Sequence, residues 1–272
     1  MPIHVKTPIT IVDFRVMSWK IYSFISSLSI ENDKVFKNVV KSLWVNILNR
    51  GPDCMDYFES TVIVVDDDGN TKPYWRKDVF PDYKQNRKQK PDLLGTISSI
   101  GLEYVTNPKN LIHYISYPGF EADDLAGALV LCKRLYENTK YNRHIYLYTV
   151  DSDWMQLVSN GVTWINSGPW EPRIRSTQET IKWTKKRLKR DIQAPSEIVQ
   201  IKSEQGDNSD NLPPNCDPGL IDLVNPLYKT YHFELLWNRI KRAYLDPHPS
   251  NQIHHLEKAK QYLTSKGIGV NI

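Results

Sequence analysis

The chain has 272 residues, 40% of them hydrophobic and 24% charged, with 35 Lys and Arg against 31 Asp and Glu for a formal net charge of +4. That balance excludes a chain dominated by disorder and provides for one sizeable α/β core with a smaller appendage. The small cationic excess accommodates a polyanionic partner without identifying one. Cys54, Cys132 and Cys216 show neither CxxC nor Cys/His spacing, which argues against a disulfide framework or a zinc site and for a reducing, cytoplasmic setting. The opening MPIHVKTPIT lacks the basic-then-apolar pattern of a secretory signal, and no apolar run approaches the roughly 18 residues of a membrane span. No membrane association is expected.

The first apolar run, Ile9–Val12, stops at Asp13, and the second, Val62–Val65, stops at Asp66. Short runs of this kind predict buried strands of a mainly parallel sheet. The segment RKDVFPDYKQNRKQK at residues 76–90 then mixes Lys and Arg with Phe80 and Tyr83 around Pro81. It predicts an exposed, mobile, basic excursion over about residues 76–100, either a plain solvated loop or a nucleic-acid contact through Arg76, Lys77, Tyr83, Lys84, Arg87 and Lys88. Glu121, Asp123 and Asp124 precede Leu125, Ala128, Leu129, Cys132 and Leu135, spaced as a buried helical stripe. These acids fall in the first helical turn, where the macrodipole favours them.

A third run, Ile145–Val150, stops at Asp151. The sequence KWTKKRLKR at 182–190 suits a solvated helix face or a duplex-contact surface. The expected organisation is an α/β core over 1–190 and a smaller, helical, DNA-binding region over 191–272. That second region holds the turn-like Gly206–Asn211 segment.

In open parallel sheets ligands sit beyond the carboxyl ends of the strands, so Asp13, Asp66 and Asp151 converge at one edge. Asp66, directly after its run, is the preferred ligand; Asp67 and Asp68 extend it into a turn, and the register there is open by one or two residues. Gathered carboxylates repel one another unless cations neutralise them, so the clustering predicts bound metal. Oxygen-only ligands select Mg²⁺ or Mn²⁺ over zinc. Two such ions about 4 Å apart can activate a water and stabilise the leaving oxygen of a phosphodiester. Lys and Arg interleaved with aromatics suit a single strand, through backbone neutralisation and base stacking.

These residues together resemble the 5′→3′ exonuclease and flap endonuclease family, within it the bacteriophage ribonuclease H branch that removes RNA primers. The resemblance spans about residues 9 to 215. Ile11-Val12-Asp13 and Val64-Val65-Asp66 resemble its first two metal-binding strands. Tyr74–Asp78 followed by Pro81–Arg87 resembles the approach to its helical arch, Gly119–Asp124 its acidic helix start, Thr149–Trp154 its DxD strand end, and Gly206–Asn211 its GDxxDN loop. The resemblance implies a PIN-like core and two ions, one near Asp13, Asp66, Glu121 and Asp123 and one near Asp151, Asp153 and Asp210, with Asp124 and Asp207 in support. Lys84 and Arg87 would hold the scissile phosphate, Asp153 would serve catalysis, and Tyr83 would stack on a displaced base. The implied substrates are DNA with 5′ flaps or ends and RNA–DNA primer duplexes. A monomer recruited by a single-strand-binding protein or sliding clamp is the implied setting. Pro214–Gly219 replaces the glycine-rich hairpin that grips duplex through potassium in many members.

Three other readings compete. Val65–Gly69 resembles the DxDG loop of haloacid-dehalogenase-type phosphatases, with Asp66 as nucleophile, but leaves the remaining acids and the basic segment without roles. A non-catalytic binding protein would not set so many anions against a phosphate backbone. Related single-strand ribonucleases of the PIN type keep the core and change the substrate.

Overall fold

The computed structural model describes residues 8–50, 60–166, 173–224 and 233–245. Most of the opening decapeptide, Cys54 and the last part of the expected 191–272 region lie outside the described residues.

Six strands form one sheet in the order β3-β2-β1-β4-β5-β6: β1 (Ile9–Asp13), β2 (Thr61–Asp68), β3 (His113–Pro118), β4 (Ile145–Thr149), β5 (Val162–Asn166) and β6 (Arg173–Arg175). The first five are parallel, with Ile9 in register with both Thr61 and Ile145, and only β6 runs antiparallel. The chain crosses between neighbouring parallel strands through helices, and the order reverses direction between β1 and β4, the crevice where ligands of such sheets bind.

Strand side chains alternate between two faces. Val12, Val64, Tyr148 and Ile165 pack with α1 (Phe14–Ile25), α2 (Asp33–Arg50) and, after the four-residue α3 (Arg76–Val79), α4 (Asp92–Thr106). Ile9, Ile11, Ile63, Val65 and Leu147 face the other way, onto α5 (Ala122–Leu135). The same buried cluster takes in Ile198 and Ile201 of α7 (Ile198–Gln205), which follows α6 (Thr177–Leu188), and Leu236, Ile240 and Tyr244 of α8 (Phe233–Leu245). Residues on both sides of the expected boundary at 190 thus share one core. Arg143 fastens α8 to the sheet by donating to Tyr244 O at 2.8 Å.

α5 runs through the middle of this core. Gly127 admits the backbone of Leu223, whose carbonyl oxygen would lie 2.0 Å from a Cβ there. Gly119, at φ +82°, turns the chain from β3 toward α5. Among the described residues no helix is long and apolar enough to cross a membrane.

Candidate metal centre and nucleic-acid site

The carboxyl edge of the sheet gathers acids from five places. Asp13 ends β1 and caps α1, its Oδ1 accepting from Val16 N at 3.0 Å and its Oδ2 from Thr149 Oγ1 at 3.0 Å. Asp67, near the end of β2, accepts from Ala122 N at 2.7 Å. Glu121 is the N-cap residue of α5, and Asp124 accepts from its backbone N at 3.2 Å. One carboxylate oxygen from each of Glu121, Asp123 and Asp124 lies within 4.8 Å of the others. Beyond β4, Asp151 accepts from Asp153 N at 2.9 Å. Asp207 and Asp210 come from the turn after α7, pinned by paired 2.9 Å backbone bonds between Asp207 and Leu212.

Cations answer only some of these acids. Arg76, 1% exposed, forks onto Asp124 at 2.7 and 2.8 Å and reaches Glu121 at 3.0 Å. Trp75 Nε1 donates to the same Asp124 at 3.1 Å. The Tyr83 hydroxyl lies 2.8 Å from Glu121 Oε2 and 2.7 Å from Asp210 Oδ2, and its single proton can serve one of them. The Lys84 ammonium contacts Glu121 and lies 3.5 Å from Asp210, while Arg87 donates to Asp210 at 2.9 Å. Lys202 of α7 contacts Asp153 and donates to Asp207 at 2.8 Å. Asp13, Asp67, Asp123 and Asp151 form no ion pair among the described residues.

That division appears in their proton affinities. Burial first, then the Asp151 and Asp67 charges, push Asp13 up to about 8. Asp67 is raised by burial and then Glu121, and Asp123 by burial and then Glu121 and Asp124. Asp151 is raised by burial, with Lys202 and Lys84 opposing and Asp210 adding. For Glu121 burial is the largest influence and acts upward, yet Lys84 and Arg76 outweigh it and hold the group below its ordinary value. Asp207 is likewise lowered against burial by Lys202. Four mutually repelling carboxylates, Asp13 and Asp123 buried and Asp67 and Asp151 half-buried, with only oxygen to offer fit a hard divalent cation.

Two cavities open onto this edge. One, of about 450 Å³, is lined by Asp13, Asp67, Glu121, Lys88 and Lys90; the other, of about 290 Å³, by Asp153, Asp207, Asp210, Lys202 and Arg187. Lys84, Arg87, Asp123 and Asp151 line both.

Sequence expectation and geometry differ at several positions. β2 continues through the DDDG acids, and period-two alternation carries Asp67 to the α5 side with Ile63 and Val65. Asp66 follows Val64 to the opposite side, where Arg15 Nε lies 2.8 Å away and the Tyr114 hydroxyl donates at 2.8 Å. Asp66 is thus removed from the cavity, both as the preferred ligand and as a phosphatase nucleophile. Arg76 and Tyr83, expected to contact nucleic acid, are each 1% exposed; the acids of α5 and the 206–211 turn draw them inward. Asp124 spends its oxygens on Arg76, Trp75 and the Glu121 amide, so it holds the arginine rather than facing the cavity.

The basic segment is correspondingly anchored. Tyr83 packs in a small cluster with Leu212, Leu220 and Ile221, and after α3 the chain continues in turns to α4. Lys77 is half-buried, while Lys88 remains exposed at the first cavity. Lys202 was invisible to motif reading; its position five residues before Asp207, one turn back on α7, is the only signal that marks it.

A buried carboxylate cluster at the switch point of a parallel sheet, flanked by lysine and arginine, defines the class of proteins that act on phosphate esters with the help of divalent ions. A family model described as the N-terminal resolvase-like domain of 5′-3′ exonucleases matches residues 8–192, and the chain belongs to that family. It is similar to a 5′-3′ exonuclease of Buchnera aphidicola subsp. Schizaphis graminum, 22% identical over 253 residues that cover 89% of this chain and 77% of that one. It is similar also to a 5′-3′ exonuclease of Mycoplasma genitalium, 32% identical over 150 residues, covering 52% of this chain and 44% of that one. Two solved structures share the fold. A T5 5′-exonuclease with divalent zinc ions bound aligns at TM-score 0.54 and 18% identity, covering 87% of this chain and 73% of that one. The bacteriophage T5 flap endonuclease in a pseudo-enzyme-product complex with DNA and metal ions aligns at TM-score 0.51 and 18% identity, covering 87% of each chain.

Proposed function

We propose that this chain is a structure-specific 5′ nuclease that hydrolyses phosphodiesters at 5′ ends and flaps of DNA and in RNA–DNA primer duplexes. The observation that carries the proposal is the convergence of Asp13, Asp67, Asp123 and Asp151, buried or half-buried and without ion pairs among the described residues, beside Lys84 and Arg87. Membership of the 5′-3′ exonuclease family and likeness to structures solved with metal ions and DNA support it.

The residues divide into two groups around the shared edge. Asp13, Asp67, Glu121 and Asp123 would hold one divalent ion, and Asp151, Asp153, Asp207 and Asp210 a second. Bound there, Mg²⁺ or Mn²⁺ supplies Lewis-acid activation of water and of the leaving oxygen. Lys84 and Arg87 line both cavities and would grip the scissile phosphate, where their charge counts most as negative charge develops. Arg76 and Asp124 act through Glu121, fixing its orientation. Lys88 and Lys90 at the mouth of the first cavity would neutralise the incoming backbone. We place the protein as a monomer recruited by a single-strand-binding protein or sliding clamp.

The experiment is Mg²⁺-dependent cleavage of a duplex with a labelled 5′ flap, beside an RNA-primed duplex and a small phosphomonoester, with EDTA and Asp153→Asn as controls. Release of 5′ fragments that both controls suppress is the expected result, and the two nucleic acids rank RNA against DNA. Hydrolysis of the phosphomonoester alone, or binding without cleavage, would overturn the proposal.

A further inference from the structure

Helix α6 ends in a cationic ridge that the fold leaves largely unanswered. Residues 182–190 contain six Lys or Arg and no acid. Two of them are paired within the chain, Lys185 at 2.6 Å from Asp191 and Arg190 at 3.6 Å from Glu204. Lys182 acts on Glu179 one turn back. Lys186, Arg187 and Lys189 are exposed and form no ion pair among the described residues. A helix C-terminus rewards such exposed charges only weakly, and their mutual repulsion works against the compact state.

The position of the ridge ties it to the site. Arg187 lines the cavity that also holds Asp153, Asp207 and Lys202. Exposed Asn208 and Ser209 continue the same wall. Its one aromatic residue, Trp183, is half-buried and packed edge-on against Trp164 at 5.6 Å and 87°. The wall therefore offers charge and polar groups rather than rings for base stacking. Such a surface suits a duplex, whose bases face inward and whose phosphates carry the charge.

We propose that the C-terminal end of α6, through Lys186, Arg187 and Lys189, binds the phosphate backbone of the double-stranded part of the substrate. The inference rests on the nuclease reading above and names where the duplex lies against that site. It moves a duplex contact ahead of residue 191, into a helix whose sequence alone was equally consistent with a solvated face.

The test is equilibrium binding in EDTA, by fluorescence anisotropy, of a labelled 5′-flap duplex and of the isolated flap strand over a range of salt. Lys186→Ala/Arg187→Ala/Lys189→Ala should reduce the magnitude of the duplex salt slope by about 2–3, since each B-DNA phosphate contact contributes about 0.9. Duplex affinity should fall at least about tenfold at moderate salt, with single-strand affinity unchanged. Lys34→Ala/Lys37→Ala/Lys41→Ala, on the exposed face of α2, removes the same charge far from the site and should leave the slope intact. Should the first variant unfold, Lys186→Gln/Lys189→Gln retains Arg187 and should lower the slope by about 1–2. An unchanged slope, an equal loss on the single strand, or the same loss in the α2 control would overturn the inference. Binding is read without catalysis, so a wild type that cuts nothing would overturn the nuclease reading while the slopes still decide the ridge.

Discussion

Replacing Arg76 with alanine asks whether this guanidinium serves the fold or the substrate. The side chain is 1% exposed and donates to Leu220 O at 2.8 Å, to Asp124 at 2.7 and 2.8 Å and to Glu121 at 3.0 Å. Its loss strands the fully buried Asp124 without a countercharge and removes one of the two cations beside Glu121. Breaking a buried pair from one side costs about 3–5 kcal/mol, which for a chain of this size lowers Tm by about 6–20 °C. Arg76→Lys restores charge without the fork and should fall in between. Arg76→Ala combined with Asp124→Ala removes the stranded acid, so a double-mutant cycle in urea should return a coupling of about 1–3 kcal/mol. A cost below about 1 kcal/mol together with a large loss of flap-DNA affinity would refute the structural role and restore Arg76 as a substrate contact.

Asp67→Asn should depress Mg²⁺-dependent cleavage by at least about a hundredfold, whereas Asp66→Asn should keep turnover and lose stability through Arg15 and Tyr114; equal activities would place neither in the metal centre. Lys84→Ala should lower single-turnover rate more than ground-state binding, because its charge acts on the developing one; equal losses would make it a plain backbone contact. In EDTA, Asp13 keeps its proton to about 8 in the folded chain and releases it near 3.8 when unfolded. Folding thus takes up a proton between these values, and stability falls as pH rises through them. The Tm difference between wild type and Asp13→Asn should therefore shift against the wild type from pH 5 to pH 8, and a constant difference would sink the assignment. Saturating Mg²⁺ should reverse that trend, adding about 2.7 kcal/mol at a hundredfold excess over Kd; Tm values indifferent to Mg²⁺ would argue against binding.

β1, β2 and β4 were legible because each carries a continuous apolar run, and α5 because its stripe at Leu125, Ala128, Leu129 and Cys132 has helical spacing; β3, β5 and β6 carry no such run and were not read. The placement of Asp13 and Asp151 followed from a general property of parallel sheets, and that of Glu121 and Asp123 from the start of the helix that this stripe marks. Asp66 went astray because the end of a strand was read from the end of its apolar run. β2 keeps its pleat through three acids, and parity with Ile63 and Val65 was the usable clue. The basic segment misled for another reason. Charged residues read as surface unless their partners are known, and the nearest acids beside Arg76 and Lys84 lie 45 and 37 residues away along the chain. Tyr83 finds Asp210 across 127 residues. No local pattern encodes such pairings.

The hydrogen bonds between residues 82–86 and 208–211 bear on how the site responds to load. Lys84 N donates to Asp210 O at 2.9 Å, Asn86 Nδ2 to Asn208 O at 2.8 Å, and Asn211 Nδ2 to Asp82 O at 2.9 Å. These three bonds join the segment that carries Lys84 to the turn that carries Asp210. A displacement of residues 82–86 is therefore passed to Asp210 through these bonds, and the two cavities share one mechanical joint.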